Sequence, residues 1–398
     1  MKRALLLFLT VPALSLSALT PTFSTYETAH YRVLSQMGDE HARETALKLE
    51  ALAELFNEHF RFDPGDLPGR MRARFFASRE RYDEYLDRTI GGSRDEVVYV
   101  HYGDVRRSEL VGFCADPDSC GPSFDILLPH QAFVQFLRAF IPNPPLWLRE
   151  GFAAYFERVR SEGDTGTPVY RENLAWLDTL QSILSRTSGA QPIPLRRLVL
   201  MDLSEARSRP ELFHPQAWGL VSFLVNSPDG NTNRILWDSI SALDPASTLL
   251  ENSRNVWHRA FRWHSEEQLT DSYVTYVKGR KSFRSLVEIG IARYEAGDAD
   301  AARSAFAASV DLHDDHSVPY YYLGLIAFED GDHAAAEDFF STALARGSAV
   351  PLTRYALGVN AYTDGRLGDA RRHLEQAAVL DHDEYGPKAR QLLERIDR

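Results

Sequence analysis

Residues 290–306 read GIARYEAGDADAARSAF, residues 324–340 read GLIAFEDGDHAAAEDFF, and residues 358–374 read GVNAYTDGRLGDARRHL. Laid over one another they keep a single register of 34 residues. Gly290, Gly324 and Gly358 form one column and Gly297, Gly331 and Gly365 a second; Ala302, Ala336 and Ala370 form a third, and Phe306, Phe340 and Leu374 a fourth. Four columns in step over three copies mark an internal repeat. Small side chains let two antiparallel helices approach closely, a turn glycine accepts the backbone angles that close the hairpin, and the large apolar residue fills the groove beside it. A hairpin of this kind leaves an apolar face open, so copies must stack. Residues 385–398 carry a polar helical pattern that suits an end cap.

These segments resemble the tetratricopeptide (TPR) repeat family, whose period is 34 residues. The resemblance implies an all-α TPR solenoid of three repeats over residues 283–384, a capping helix at 385–398, and a protein or peptide partner held in a concave groove. In this register Val287, Tyr321 and Tyr355 form one column facing the groove, and Tyr294, Phe328 and Tyr362 form another. Aromatic rings there offer apolar area with a polar edge, as binding hot spots do. The bland alternative is that some of them pack between hairpins. No Lys/Arg/Asn set stands ready to clamp a terminal carboxylate, so an apolar or extended internal segment is the expected ligand. Asp314, Asp315 and His316 fall in the linker between the first two repeats, where a charged cluster reads as a solvated loop.

Upstream of the array the patterns change. Residues 30–36 (HYRVLSQ) and 71–77 (MRARFFA) alternate apolar with polar, and residues 97–102 (VVYVHY) are β-branched and aromatic, so all three suit strands. Ala46, Leu49, Ala53, Phe56 and Phe60 recur at helical spacing between the first two. From Pro129 onward helices take over: one with Pro129 in its first turn, one starting near Pro145, and others at 173–185, 215–225, 233–243 and 265–278. The expected architecture is an α+β N-terminal domain, a small sheet plus helices over residues 24–282, followed by the solenoid.

Within that domain, residues 127–157 (LLPHQAFVQFLRAFIPNPPLWLREGFAAYFE) resemble the active-site region of gluzincin, or peptidase MA-like, zinc metallopeptidases. Residues 147–155 (WLREGFAAY) match the second half of that region, whose glutamate, here Glu150, completes the zinc site. The first half departs from it. His130 falls on the first ligand, but Gln131 stands at the general base and Val134 at the second ligand. Two histidines four apart put two imidazoles on one helix face, and a glutamate after the first takes a proton from the metal-bound water. Glutamine cannot take that proton, and valine cannot bind a metal. His130 and Glu150 alone fall short of three protein ligands, and neither His101 nor His214 has a spacing that nominates it. The resemblance therefore implies a degenerate, gluzincin-like pseudoenzyme with no metal and no cofactor. A zinc peptidase with an atypical site at His130 and Glu150 stands as the enzymatic alternative, and a structural subunit of a cell-envelope complex as another. No G-x-S-x-G elbow, phosphate loop or dinucleotide fingerprint occurs.

Residues 1–18 carry Lys2 and Arg3, an apolar run and small residues at the end, a signal-peptide layout. The expected mature protein is exported, periplasmic or in the cell envelope, soluble, and without an integral membrane segment. In an oxidising compartment Cys114 and Cys120, the two cysteines of the chain, suit a local disulfide. The formal charge of −12 repels polyanions and argues against a nucleic-acid partner. An exported, non-catalytic adaptor whose array recruits a protein or peptide is the function these readings favour.

Overall fold

A computed structural model describes residues 22–92, 94–114, 120, 122–162, 167–170, 173–187 and 189–398. The expected signal peptide lies outside the described residues. The first layer is a five-stranded sheet built from β1 (Ser24–Glu27), β2 (Tyr31–Ser35), β3 (Met71–Phe76), β4 (Val97–Val100) and β5 (Glu109–Phe113), in the order β1-β2-β3-β5-β4. The inner pairs β2–β3 and β3–β5 are parallel, whereas β1 and β4 are antiparallel edges. Between β2 and β3 runs α1 (Asp39–Phe60), whose Ala46, Leu49, Ala53, Phe56 and Phe60 are all buried, as their spacing predicts. The shorter α2 (Arg79–Ile90) brings Tyr82 and Leu86 to a separate apolar cluster with Phe76, Val100 and Val111.

Helix α3 (Pro122–Phe140) starts a full two turns before the expected Pro129, which sits inside it. An interior proline removes one helical hydrogen bond, here to the carbonyl of Asp125. Asp125 is exposed, so water can take the place of the missing donor. After it comes α4 (Leu146–Phe156), buried at every position except Arg149 and Glu150, which are half-buried. Phe56, Phe60, Phe133, Phe152 and Phe156 form one aromatic knot where α1, α3 and α4 meet, with Phe56 and Phe156 centroids 4.8 Å apart and Phe60 and Phe152 4.9 Å apart. A small ribbon of β6 (Arg160–Glu162) and β7 (Thr167–Val169) follows.

Among the described residues seven further α-helices belong to the domain: α5 (Leu177–Leu184), α6 (Leu195–Leu200), α7 (Leu203–Ser208), α8 (Pro210–Asn226), α9 (Gly230–Ser241), α10 (Leu249–Val256), which runs on into a π-helical turn at Trp257–Phe261, and α11 (Glu266–Gly279). α8 packs directly on α4, at a point where Gly151 lies against the backbone of Ala217.

Burial of histidines has a consequence for acid stability. His41, 9% exposed on α1, and His59, whose ring sits among Phe152, Tyr155 and Phe156, are both held below the ordinary imidazole value of 6.5 by burial. The unfolded chain takes up protons at these positions near that pH while the folded chain does not. Stability is therefore fully present above the ordinary imidazole value and falls as the pH drops through it. The thermal midpoint should be lower at about pH 5 than at about pH 7.5, and a flat or rising midpoint across that interval would contradict it.

The remainder is an all-helical array: α12 (Phe283–Glu295) with α13 (Ala299–Leu312), α14 (Ser317–Glu329) with α15 (His333–Ala345), α16 (Val350–Thr363) with α17 (Leu367–Leu380), then α18 (Tyr385–Ile396). Each hairpin closes on a glycine of positive φ, +76° at Gly297, +79° at Gly331 and +78° at Gly365. A Cβ on Gly290, Gly324 or Gly358 would come within 2.6, 2.6 and 2.7 Å of Phe306, Phe340 and Leu374 respectively. The two glycine columns thus do different work: one makes the turn, the other admits a large side chain from the facing helix. Within the first domain Gln181 Nε2 donates to the carbonyls of Val277 and Arg280 at the end of α11, both at 2.9 Å, and the array meets that domain where Arg158 lies 3.0 Å from His313.

Candidate functional site

Two places follow from the sequence. The first is the junction of α3 and α4. His130 presents Nδ1 to Glu157 Oε1 at 2.8 Å and Nε2 toward Glu150 Oε2 at 4.0 Å. The second oxygen of Glu157 accepts from Asn173 Nδ2 at 2.5 Å. Glu150 is gripped by its own neighbour, with Arg149 Nη2 2.6 Å from Oε1. Burial alone would raise the Glu150 carboxyl, but Arg149, His130 and His214 outweigh it and hold the group below its ordinary value. The packing of α3 on α4 thus brings His130 and Glu150 together, and that of α8 on α4 adds His214. Burial lowers the His214 imidazole, against the opposing pull of Glu150. A cavity of about 430 Å³ opens beside them, bounded by Leu146, Arg149, Glu150, Phe213 and His214.

Gln131 and Val134 have found other work. Gln131 Oε1 accepts from the backbone N–H of Tyr99 at 3.2 Å, strapping α3 to the edge strand β4. Val134 packs against the main apolar core. Gln131 is thus an amide engaged with backbone and Val134 an aliphatic side chain, and neither offers zinc an imidazole, a thiolate or a carboxylate. Among the described residues, the one set of His, Cys, Asp or Glu whose ligating atoms all lie within 4.8 Å of one another is elsewhere, at His41, Cys114 and Cys120. Sequence spacing missed Glu157 and His214 as members of the cluster, because they arrive from the end of α4 and from α8, positions no single-helix period connects.

The second place is the first helix of each hairpin. Val287 and Tyr294 on α12, Tyr321 and Phe328 on α14, and Tyr355 and Tyr362 on α16 are all half-buried. Tyr294 donates its hydroxyl to Glu329 at 2.6 Å and meets Tyr322 edge-on at 5.4 Å. Tyr321 rests on Phe340 of its own hairpin at 5.7 Å, Phe328 faces His333 at 5.8 Å, and Tyr355 faces Tyr385 of the last helix at 5.5 Å. Tyr321 and Tyr355 therefore spend part of their surface on packing. Cys114 and Cys120 are joined as a disulfide, next to the start of α3. No helix among the described residues is long and apolar enough to cross a membrane.

Comparison with known proteins bears on the second place. The tetratricopeptide repeat family profile matches residues 287–351. Among solved structures, "First TPR of Spaghetti (RPAP3) bound to HSP90 peptide SRMEEVD" is similar over 29% of this chain and 94% of its own, at 18% identity and a TM-score of 0.28. No curated protein matches the chain.

Proposed function

We propose that this chain is an exported, non-catalytic adaptor whose TPR array holds a protein or peptide partner, with a pseudo-metallopeptidase domain as its base. The observation that carries the reading is the repeat itself: the match over residues 287–351 falls on helices that repeat half-buried aromatic positions along one side of each hairpin. Such rings give binding area at little cost in side-chain freedom. Their apolar character favours an extended or apolar internal segment of the partner. Export is supported by the layout of residues 1–18, which places two cations before an apolar run.

The non-catalytic reading rests on Gln131 and Val134. A protein isolated with its disulfide closed should carry no stoichiometric zinc and cleave no peptide, as elemental analysis and a broad protease assay would show. Restoring the metallopeptidase pattern with Gln131→Glu and Val134→His together should create zinc affinity, since a carboxylate in place of the Gln131 amide keeps an acceptor for the Tyr99 N–H while the new imidazole joins His130 and Glu150. One zinc per wild-type chain, with peptide cleavage lost on Glu150→Gln, is the outcome that sinks this reading and favours the enzymatic alternative.

A further inference from the structure

Cys114 follows β5 and is 1% exposed; its disulfide partner Cys120 lies just before α3. His41, in the first turns of α1, faces the pair: one of its ring nitrogens and both sulfurs all lie within 4.8 Å of one another. The imidazole is held in place by its neighbours. Its Nδ1 is 3.1 Å from Ser35 Oγ and 3.3 Å from Thr45 Oγ1, and the ring stands edge-on to Phe75 at 5.9 Å. Hydroxyls on Nδ1 orient the ring and leave Nε2 as the nitrogen free to ligate, an arrangement that outer partners of metal-bound histidines share.

We propose that Cys114, Cys120 and His41 form a redox-gated site for a thiolate-binding divalent cation such as Zn²⁺, closed while the disulfide is intact and open once it is reduced. In the opening step a dithiol reductant donates two electrons and two protons to the S–S bond and becomes a disulfide itself, leaving two thiols on the protein. In the binding step each thiol gives its proton to solvent as its sulfur bonds the cation, and His41 supplies the third ligand. Three protein ligands leave the fourth tetrahedral position to water. The site uses neither the array nor the His130 cluster, so it stands apart from the adaptor reading.

The test uses the full chain, treated with a phosphine reductant and a chelator, desalted without oxygen and titrated with Co²⁺, which Zn²⁺ then displaces. The expected result is one equivalent bound with a thiolate-to-cobalt charge-transfer band, and no band in the oxidised protein or in Cys120→Ser. His41→Gln loses a direct ligand and Thr45→Val loses an orienting hydroxyl, so each should weaken Co²⁺ binding by about tenfold or more. Circular dichroism on each variant separates lost affinity from lost fold, and Thr45→Val keeps shape and volume if His41→Gln fails to fold. A reduced wild type without the band, or folded Thr45→Val and His41→Gln proteins that bind as tightly as wild type, overturns the proposal.

Discussion

Gly151→Ala should destabilise the N-terminal domain by about 3 kcal/mol, a large effect for adding one methyl group. A Cβ at Gly151 would sit 2.5 Å from the carbonyl oxygen of Ala217, 2.7 Å from Val221 Cγ2 and 2.9 Å from the Ala217 carbonyl carbon. Two of those three atoms are backbone, which no rotamer change can move, so α4 and α8 have to separate. Alanine's helix propensity returns roughly 1 kcal/mol, which the clash exceeds. Gly230→Ala is the matched control: it lies in α9 with nothing within 4 Å of the added carbon. Urea unfolding of both variants decides the matter, and equal midpoints for Gly151→Ala and wild type would show that the helices do not cross as closely as described. Because Glu150 precedes Gly151 and His214 lies on α8, the same substitution should also loosen the His130 cluster.

The second large effect concerns partner capture. Phe328→Ala with Tyr362→Ala should weaken binding by about 1 to 3 kcal/mol per ring if both are hot spots, while the array stays folded. These two are the better pair to change, since among the ring contacts of the described residues Phe328 makes one, tilted against His333, and Tyr362 makes none, although Phe328 also borders the apolar cluster around Phe340. Tyr321→Ala and Tyr355→Ala remove rings that rest on Phe340 and Tyr385, so a loss of binding there would come mixed with a loss of packing. The partner is first identified by cross-linking in the native cells and mass spectrometry, and affinities are then measured with full-length protein. The groove reading is falsified if the folded double variant binds that partner as tightly as wild type.

The array was legible in the sequence because its decisive contacts are local. Gly290 meets Phe306, Gly324 meets Phe340 and Gly358 meets Leu374, each within a single hairpin, so every contact repeats with the sequence period. Strands β2, β3 and β4 were legible from alternation and β-branching. β5 was not: ELVGF is buried along almost its whole length in the interior of the sheet, so it shows no alternation, and Gly112 leaves room for the Phe75 ring. The start of α3 was misplaced because Pro129 carries a strong local signal for a first turn that packing overrode.

By itself the sequence determined the repeat, its hairpins and turns, the two-part organisation, and the presence of an amide at Gln131 and an aliphatic side chain at Val134. Residue identity settles those points whatever the chain folds into, and periodicity survives in one dimension. Tertiary structure alone decided that Glu157 and His214 join His130 and Glu150, that Gln131 straps α3 to β4, and that His41 stands beside the disulfide. Each of those meetings depends on which helix crosses which, and at what distance. That is set by side-chain volumes across an interface such as Gly151 against Ala217, and no spacing along the chain encodes it.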